Sequence, residues 1–285
     1  MSGFEREVVK VGEHQHVVAR FFAPAGEPRA AALVVPAMGV TQAYYAPFAQ
    51  WLAAQGFLVA TFDYRGIGQS RHGSLRKVST DILDWARLDC AAMVEVLAAK
   101  VPDKPLHWVG HSLGGQILPF VPNRERVSRV ITVATGSGYW RENTASLRRT
   151  SWWLWFVVAP LSVRLFGYFP GRRLRKVGDL PRGVMEQWRR WCLNPEYAVG
   201  VEGEAARALY AAVRTPIVSL SFTDDEFMSL RNTESIHGQY ANARRTMKRI
   251  APKEIGEKRI GHFGFFKPKF EHSLWRNYLL PELAG

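Results

Sequence analysis

The sequence predicts an α/β fold, in which a mostly parallel central sheet is flanked by helices and a helical segment is inserted late in the chain. Three observations predict it. Short, continuously apolar, β-branched runs alternate with helical stretches, the pattern of parallel strands buried on both faces. At 47% hydrophobic and 22% charged over 285 residues, the chain can build one large core without disulfide or metal staples. One long segment, residues 137–203, breaks the alternation.

Strands are expected at residues 17–22, 31–35, 57–62, 106–109, 127–133 and 216–222. The clearest helix is 81–100, with Thr80 placed to cap it and Ile82, Trp85, Leu88, Ala92, Val96 and Ala99 forming an apolar stripe. Segment 137–203 offers no clean strand. It holds Trp140, Trp152, Trp153, Trp155, Trp188 and Trp191, six of the ten tryptophans, and prolines and glycines divide it into short pieces. It reads as a helical cap inserted into a core made of residues 1–136 and 204–285, because no linker-like composition flanks it.

The net charge of +13 is localised: segments 137–200 and 244–276 each carry a net +7. Either these are solvated faces or they meet an anionic partner. Cys90 and Cys192 fit no disulfide framework or metal spacing and read as free thiols. The chain starts with polar and acidic residues rather than a basic and then apolar leader. The most apolar stretch, 151–163, is shorter than the roughly 20 residues of a bilayer span. A cytoplasmic location is expected, with contact at the membrane periphery through the cap as one of two readings of that segment.

Gly110-His111-Ser112-Leu113-Gly114 follows the 106–109 strand directly and precedes an apolar helix. A sharp strand-to-helix turn lifts a serine clear of the sheet and needs small neighbours to avoid collisions. The helix then points its first N–H groups at the reaction centre. Ser112 is therefore the candidate nucleophile, and it needs a base. His262, set between Gly261 and Phe263-Gly264 on a loop, is the candidate. His14, His16, His72, His107, His237 and His272 sit where a structural role suffices. The base needs a carboxylate to fix its tautomer. The 216–222 strand ends in Thr223-Asp224-Asp225-Glu226, three competing acids at the end of a strand where such sheets place their sites. A backbone N–H in Pro36-Ala37-Met38-Gly39-Val40, together with that of Leu113, makes a candidate oxyanion hole. Gly66-Ile67-Gly68 hints at a dinucleotide loop, but Arg71 stands in place of the third glycine. That segment reads instead as a turn with Asp63 and Arg65 tied into local hydrogen bonds.

Pro36-Ala-Met-Gly39, Asp63-Tyr-Arg-Gly-Ile-Gly-Gln-Ser70, Gly110-His-Ser-Leu-Gly114 and the Asp224-Asp225/Gly261-His262 pair resemble, in that order, the motifs of the α/β-hydrolase superfamily. The resemblance runs over nearly the whole chain outside the cap. It extends to a bacterial subgroup with a PAMG-type oxyanion loop. It implies the α/β-hydrolase fold, a triad of Ser112, Asp225 and His262, and oxyanion donors on Met38 and Leu113. Asp225 is preferred to Asp224 because the second acid of that loop is the family's catalytic one. Pro36 and Ala37 depart from the family's usual His-Gly.

The expected activity is hydrolysis of a carboxylic ester of apolar acyl type, with no metal or organic cofactor. Trp140, Trp152, Trp155 and Phe156 are expected to line an acyl pocket. The same triad serves a thioesterase, an amidase or an acyltransferase, and the fold also serves as a binding scaffold. Nucleic acid is not an expected partner, since no recognised motif accompanies the charge. Trp152, Trp153, Trp155, Phe156 and Phe166, beside Arg148, Arg149, Arg164, Arg172, Arg173, Arg175 and Lys176, suit either a weak contact with anionic membrane or tryptophans buried under solvated arginines.

Overall fold

The computed structural model describes residues 3–13, 15–174 and 177–283. His14, Arg175 and Lys176 lie outside the described residues. The strands are β1 (Glu5–Lys10), β2 (His16–Phe22), β3 (Ala30–Val35), β4 (Phe57–Asp63), β5 (Leu106–His111), β6 (Val127–Val133), β7 (Tyr168–Phe169), β8 (Leu180–Pro181), β9 (Ile217–Phe222) and β10 (Arg245–Ile250). Eight of them form one sheet in the order β1-β2-β4-β3-β5-β6-β9-β10. Within this sheet, among the described residues, only the β1/β2 and β2/β4 pairings are antiparallel. β3, β4 and β5 are buried along their whole length, which is why they read as unbroken apolar runs.

All six expected strands are present. β1 and β10 were not expected. Both are edge strands, and only Ile250 of β10 is fully buried. Charged residues suit an edge that must not recruit another chain, and they erase the apolar signal.

The helices are α1 (Ala46–Ala54), α2 (residues 82–100), α3 (Leu113–Gln116), α4 (residues 145–166), α5 (Arg182–Leu193), α6 (Tyr197–Ala212), α7 (Leu230–Gly238) and α8 (residues 271–283). Two details of α2 differ from expectation. Its cap is Asp81, in a reciprocal capping box with Asp84, and not Thr80. Ile82 and Trp85 are buried as expected, but the buried face then runs through Asp89, Cys90, Met93, Val94 and Leu97, whereas Leu88 is exposed. The cause is an ion pair: buried Asp89 meets Arg65 at 2.5 Å, so a charge occupies a core-facing position that periodicity assigns to an apolar residue.

That pair also settles the turn after β4. Asp63 accepts from the backbone and side-chain amides of Gln42 and from Gln69 N–H, and Arg65 is anchored on Asp89. Asp63 and Arg65 hold the Gly66–Gly68 turn as expected, but of these bonds only the one from Gln69 N–H is local; Gln42 and Asp89 come from 21 and 24 residues away.

Between β6 and β9 the chain leaves the sheet. α4 carries a π turn at Leu154–Val158, and α5 packs on it and on α6. The short β7/β8 ladder, unexpected from sequence, joins Phe169 to Leu180. Residue 203, where the sequence ended the insertion, is a kink within α6 at Gly203. Both cysteines are buried and free.

Candidate active site

Ser112 sits between β5 and α3 with φ 50° and ψ −110°, a conformation that L-residues adopt only under strong local constraint. The constraints are visible. Ser112 N–H donates to Val133 C=O at 2.9 Å, pinning the turn to β6. A Cβ on Gly110 would lie 2.4 Å from Gly114 O, and a Cβ on Gly114 would lie 2.2 Å from Val35 O. Only glycine fits at either place, and the second contact presses the elbow against the loop that follows β3. Trp108 Nε1–H closes the turn from below by donating to Gly114 O at 2.8 Å. The N–H of Leu113 is the first of α3, so no preceding helical turn supplies it with an acceptor.

The loop after β3 is held at two points. Tyr64 OH donates to Pro36 O at 3.1 Å, and Ala37 N–H donates to Tyr45 OH at 2.9 Å. Met38 follows directly and is buried.

The three acids after β9 divide their work. Asp225 meets the His262 ring, with Nδ1 at 2.9 Å from Oδ2 and 3.1 Å from Oδ1. Asp225 Oδ1 also accepts from the N–H groups of Phe227 and Met228, each at 2.8 Å. Asp224 accepts from Ile260 N–H at 2.9 Å and Gly261 N–H at 3.1 Å. Glu226 accepts from His262 N–H at 3.0 Å. One acid therefore holds the imidazole and the other two hold the backbone of its loop. A carboxylate on Nδ1 leaves Nε2 as the nitrogen free to exchange a proton.

The His262 ring lies 5.3 Å from that of His111, centroid to centroid, which brings the histidine loop to the elbow. His111 and Tyr45 escaped the sequence reading. Tyr45 OH is 2.9 Å from His111 Nδ1, and His111 Nε2 is 3.1 Å from His262 O. Burial, and then the nearby His262, push His111 far below the usual imidazole range. Burial lifts the Tyr44 hydroxyl to about 12 and pushes that of Tyr45 well above the usual phenol range, so both remain protonated donors. The available signal was the Tyr44-Tyr45 pair a few residues after the oxyanion loop, but nothing in the sequence pairs it with His111.

A cavity of about 360 Å³ opens beside this site, within the roughly 300–1,000 Å³ range of small-molecule sites. Phe227, Met228 and Phe263 line the end near His262. Leu147, Leu154, Trp155 and Trp188, from the stretch between β6 and β9, line another part, and Gln116, Cys192, Tyr197 and the polar Asn143, Thr150 and Ser151 also contribute to its wall. Of the four aromatic residues expected there, Trp155 lines this cavity. Trp140, Trp152 and Phe156 do not. They form a cluster of their own, with Phe156 at 6.0 Å from Trp140 and 5.5 Å from Trp152, and Trp152 and Phe156 face outward. Adjacent positions on α4 point to opposite sides, a division that an apolar run conceals.

Monoglyceride lipase of Mus musculus is 32% identical over 103 residues, which cover 36% of this chain and 33% of that protein. The chain thus spans about a third of the length of the curated relatives it matches. A soluble variant of the Saccharomyces cerevisiae monoglyceride lipase, solved with a substrate analogue, superposes with a TM-score of 0.67 at 16% identity, over 95% of this chain and 93% of that one. A thermostable carboxyl esterase from Bacillus coagulans gives 0.62 at 14% identity, over 88% and 91%. At these identities the structures show a shared fold. The sequence model of the serine aminopeptidase S33 family matches residues 26–178, more than half of the chain and including the elbow, and the protein belongs to that family of serine-type α/β-hydrolases.

Proposed function

We propose that the protein hydrolyses carboxylic esters of a single apolar acyl chain, through an acyl-enzyme on Ser112. The observation that carries this reading is the bidentate approach of the Asp225 carboxylate to His262 Nδ1, beside a serine in strained geometry. In the proposed cycle Ser112 Oγ attacks the ester carbonyl and His262 Nε2 takes its proton. The N–H groups of Met38 and Leu113 hold the developing oxyanion. His262 then gives its proton to the leaving alcohol, and water repeats the sequence to release the acid. The cavity, apolar where Phe227, Met228 and Phe263 line it, takes the acyl chain, and residues 137–203 act as its cap. Its volume suits one chain rather than several. The monoglyceride lipase relatives act, by name, on one-chain esters, which supports the same substrate class.

Rates across p-nitrophenyl esters of increasing acyl length test this reading. kcat/KM is expected to rise with each methylene, by up to about 0.8 kcal/mol of binding per buried CH₂, and then to fall once the cavity is full. A flat profile, or inactivity at every length, contradicts it.

The outer face of the cap supports a weak attachment to anionic membrane. Trp152, Trp153, Phe156, Leu161 and Leu165 are 43, 59, 42, 54 and 71% exposed, five of the nine large apolar side chains exposed among the described residues. Phe156 and Leu161 are five residues apart across the π turn, whose i→i+5 bonding keeps the stripe on one face. Beside it, a cleft of about 480 Å³ is lined by Arg164, Arg182, Arg189 and Arg190, with Glu186 in the same wall paired to Arg182 at 2.8 Å. Trp155 and Trp191 are buried, so only part of the tryptophan set is spent on packing. No helix among the described residues is long and apolar enough to cross a membrane. Each basic group at an anionic surface contributes about 1 kcal/mol, screened by salt. In vesicle co-sedimentation, binding to anionic but not neutral vesicles, lost at high salt, is expected. No binding to either kind at low salt removes the attachment.

A further inference from the structure

We infer that Tyr45 and His111 are positioning residues that lock the oxyanion loop to the loop of the catalytic histidine; this rests on the hydrolase reading above. Three hydrogen bonds form one chain between them. Ala37 N–H meets Tyr45 OH at 2.9 Å, Tyr45 OH meets His111 Nδ1 at 2.9 Å, and His111 Nε2 meets the His262 carbonyl at 3.1 Å. Tyr45 and His111 are both fully buried, so water does not compete for these bonds.

The chain has a single polarity. A peptide N–H only donates and a carbonyl only accepts. The His262 carbonyl therefore requires the proton of His111 on Nε2. His111 Nδ1 is then bare and takes the Tyr45 hydroxyl proton, while the phenol oxygen accepts from Ala37. Reversing any one bond leaves a buried group unpaired at an end of the chain. The device is thus rigid in direction as well as in length.

What it joins matters for the reaction. Ala37 immediately precedes Met38, the proposed oxyanion donor. The His262 carbonyl belongs to the proposed base. His111 itself immediately precedes Ser112. The neighbouring Tyr44 donates to the Phe263 carbonyl, one residue further along the same loop. Two adjacent tyrosines thus secure two consecutive carbonyls of the histidine loop, one directly and one through the elbow. Oxyanion donor, nucleophile and base sit on three different loops, and this chain of bonds sets their separation.

Tyr45→Phe removes only the hydroxyl and keeps the edge-to-face packing of the ring on Phe266 at 4.8 Å. On a p-nitrophenyl ester, kcat is expected to fall by about 10- to 100-fold, with KM changed by less than about two-fold, because misplacement of a reacting group costs rate rather than substrate binding. His111→Gln, which can still donate to the His262 carbonyl, is expected to retain more kcat than His111→Leu. Ring ¹⁵N spectra of the wild type are expected to show His111 as the neutral Nε2–H tautomer between about pH 5 and 8, with altered ring shifts in Tyr45→Phe. Unchanged kcat in a folded Tyr45→Phe, whether or not its Tm falls, overturns the inference, as does equal kcat in the Gln and Leu variants. A wild type that shows the Nε2–H tautomer but hydrolyses no ester overturns the hydrolase reading instead, and an Nδ1–H tautomer overturns the hydrogen-bond chain whatever the activity.

Discussion

Ser112→Ala is expected to lower kcat for ester hydrolysis by about 10⁶-fold while leaving Tm close to that of the wild type. The alanine keeps the backbone turn that Gly110 and Gly114 make room for and loses only the attacking oxygen. His262→Ala should cost a similar factor. The double variant should lose little more than either single one, because a nucleophile without its base and a base without its nucleophile are equally idle. Steady-state rates of the three variants on one p-nitrophenyl ester check this. Losses that multiply would mean that the two residues act independently, contrary to the proposed mechanism.

Asp225→Asn is expected to lower kcat by about 10⁴-fold, and Asp224→Asn by no more than about 10-fold. The physical difference lies in what each acid holds. An amide at position 225 donates to His262 Nδ1 and so favours the tautomer with its proton on Nε2, which is unable to act as a base. An amide oxygen at position 224 still accepts from Ile260 and Gly261 N–H, so the loop keeps most of its anchoring. The ratio of the two kcat values is the informative quantity. A larger loss in Asp224→Asn would move the acid by one residue and break the proposed assignment.

The sequence made the interior of the sheet legible because strands buried on both faces are apolar at every position. It made Ser112 legible because the turn that presents a serine demands glycines at fixed spacing. His262 stood out as a loop histidine between glycines. The acid did not separate on residue pattern alone, since Asp224, Asp225 and Glu226 all reach the same loop and differ only in which atoms they hold. Family resemblance was needed to choose among them. Edge strands β1 and β10 were hidden by their own charges. The buried face of α2 was misread beyond Trp85 because Asp89 is compensated by Arg65, a residue 24 positions earlier. Trp152 and Phe156 were assigned to the pocket, with Trp155, because an unbroken apolar run does not say which side of a helix faces in. Tyr45 and His111 went unread for a related reason. Their partnership is a contact across 66 residues, and neither carries a local motif of its own beyond lying near one.

The most direct test of the central claim is covalent trapping. The wild type is treated with a fluorophosphonate, whose phosphorus takes the place of the ester carbonyl under attack, and the adduct is located by peptide mass spectrometry. The account predicts one adduct, on Ser112, whose formation slows sharply in His262→Ala and is absent in Ser112→Ala. An adduct on another residue, or labelling that persists undiminished in Ser112→Ala, would contradict it.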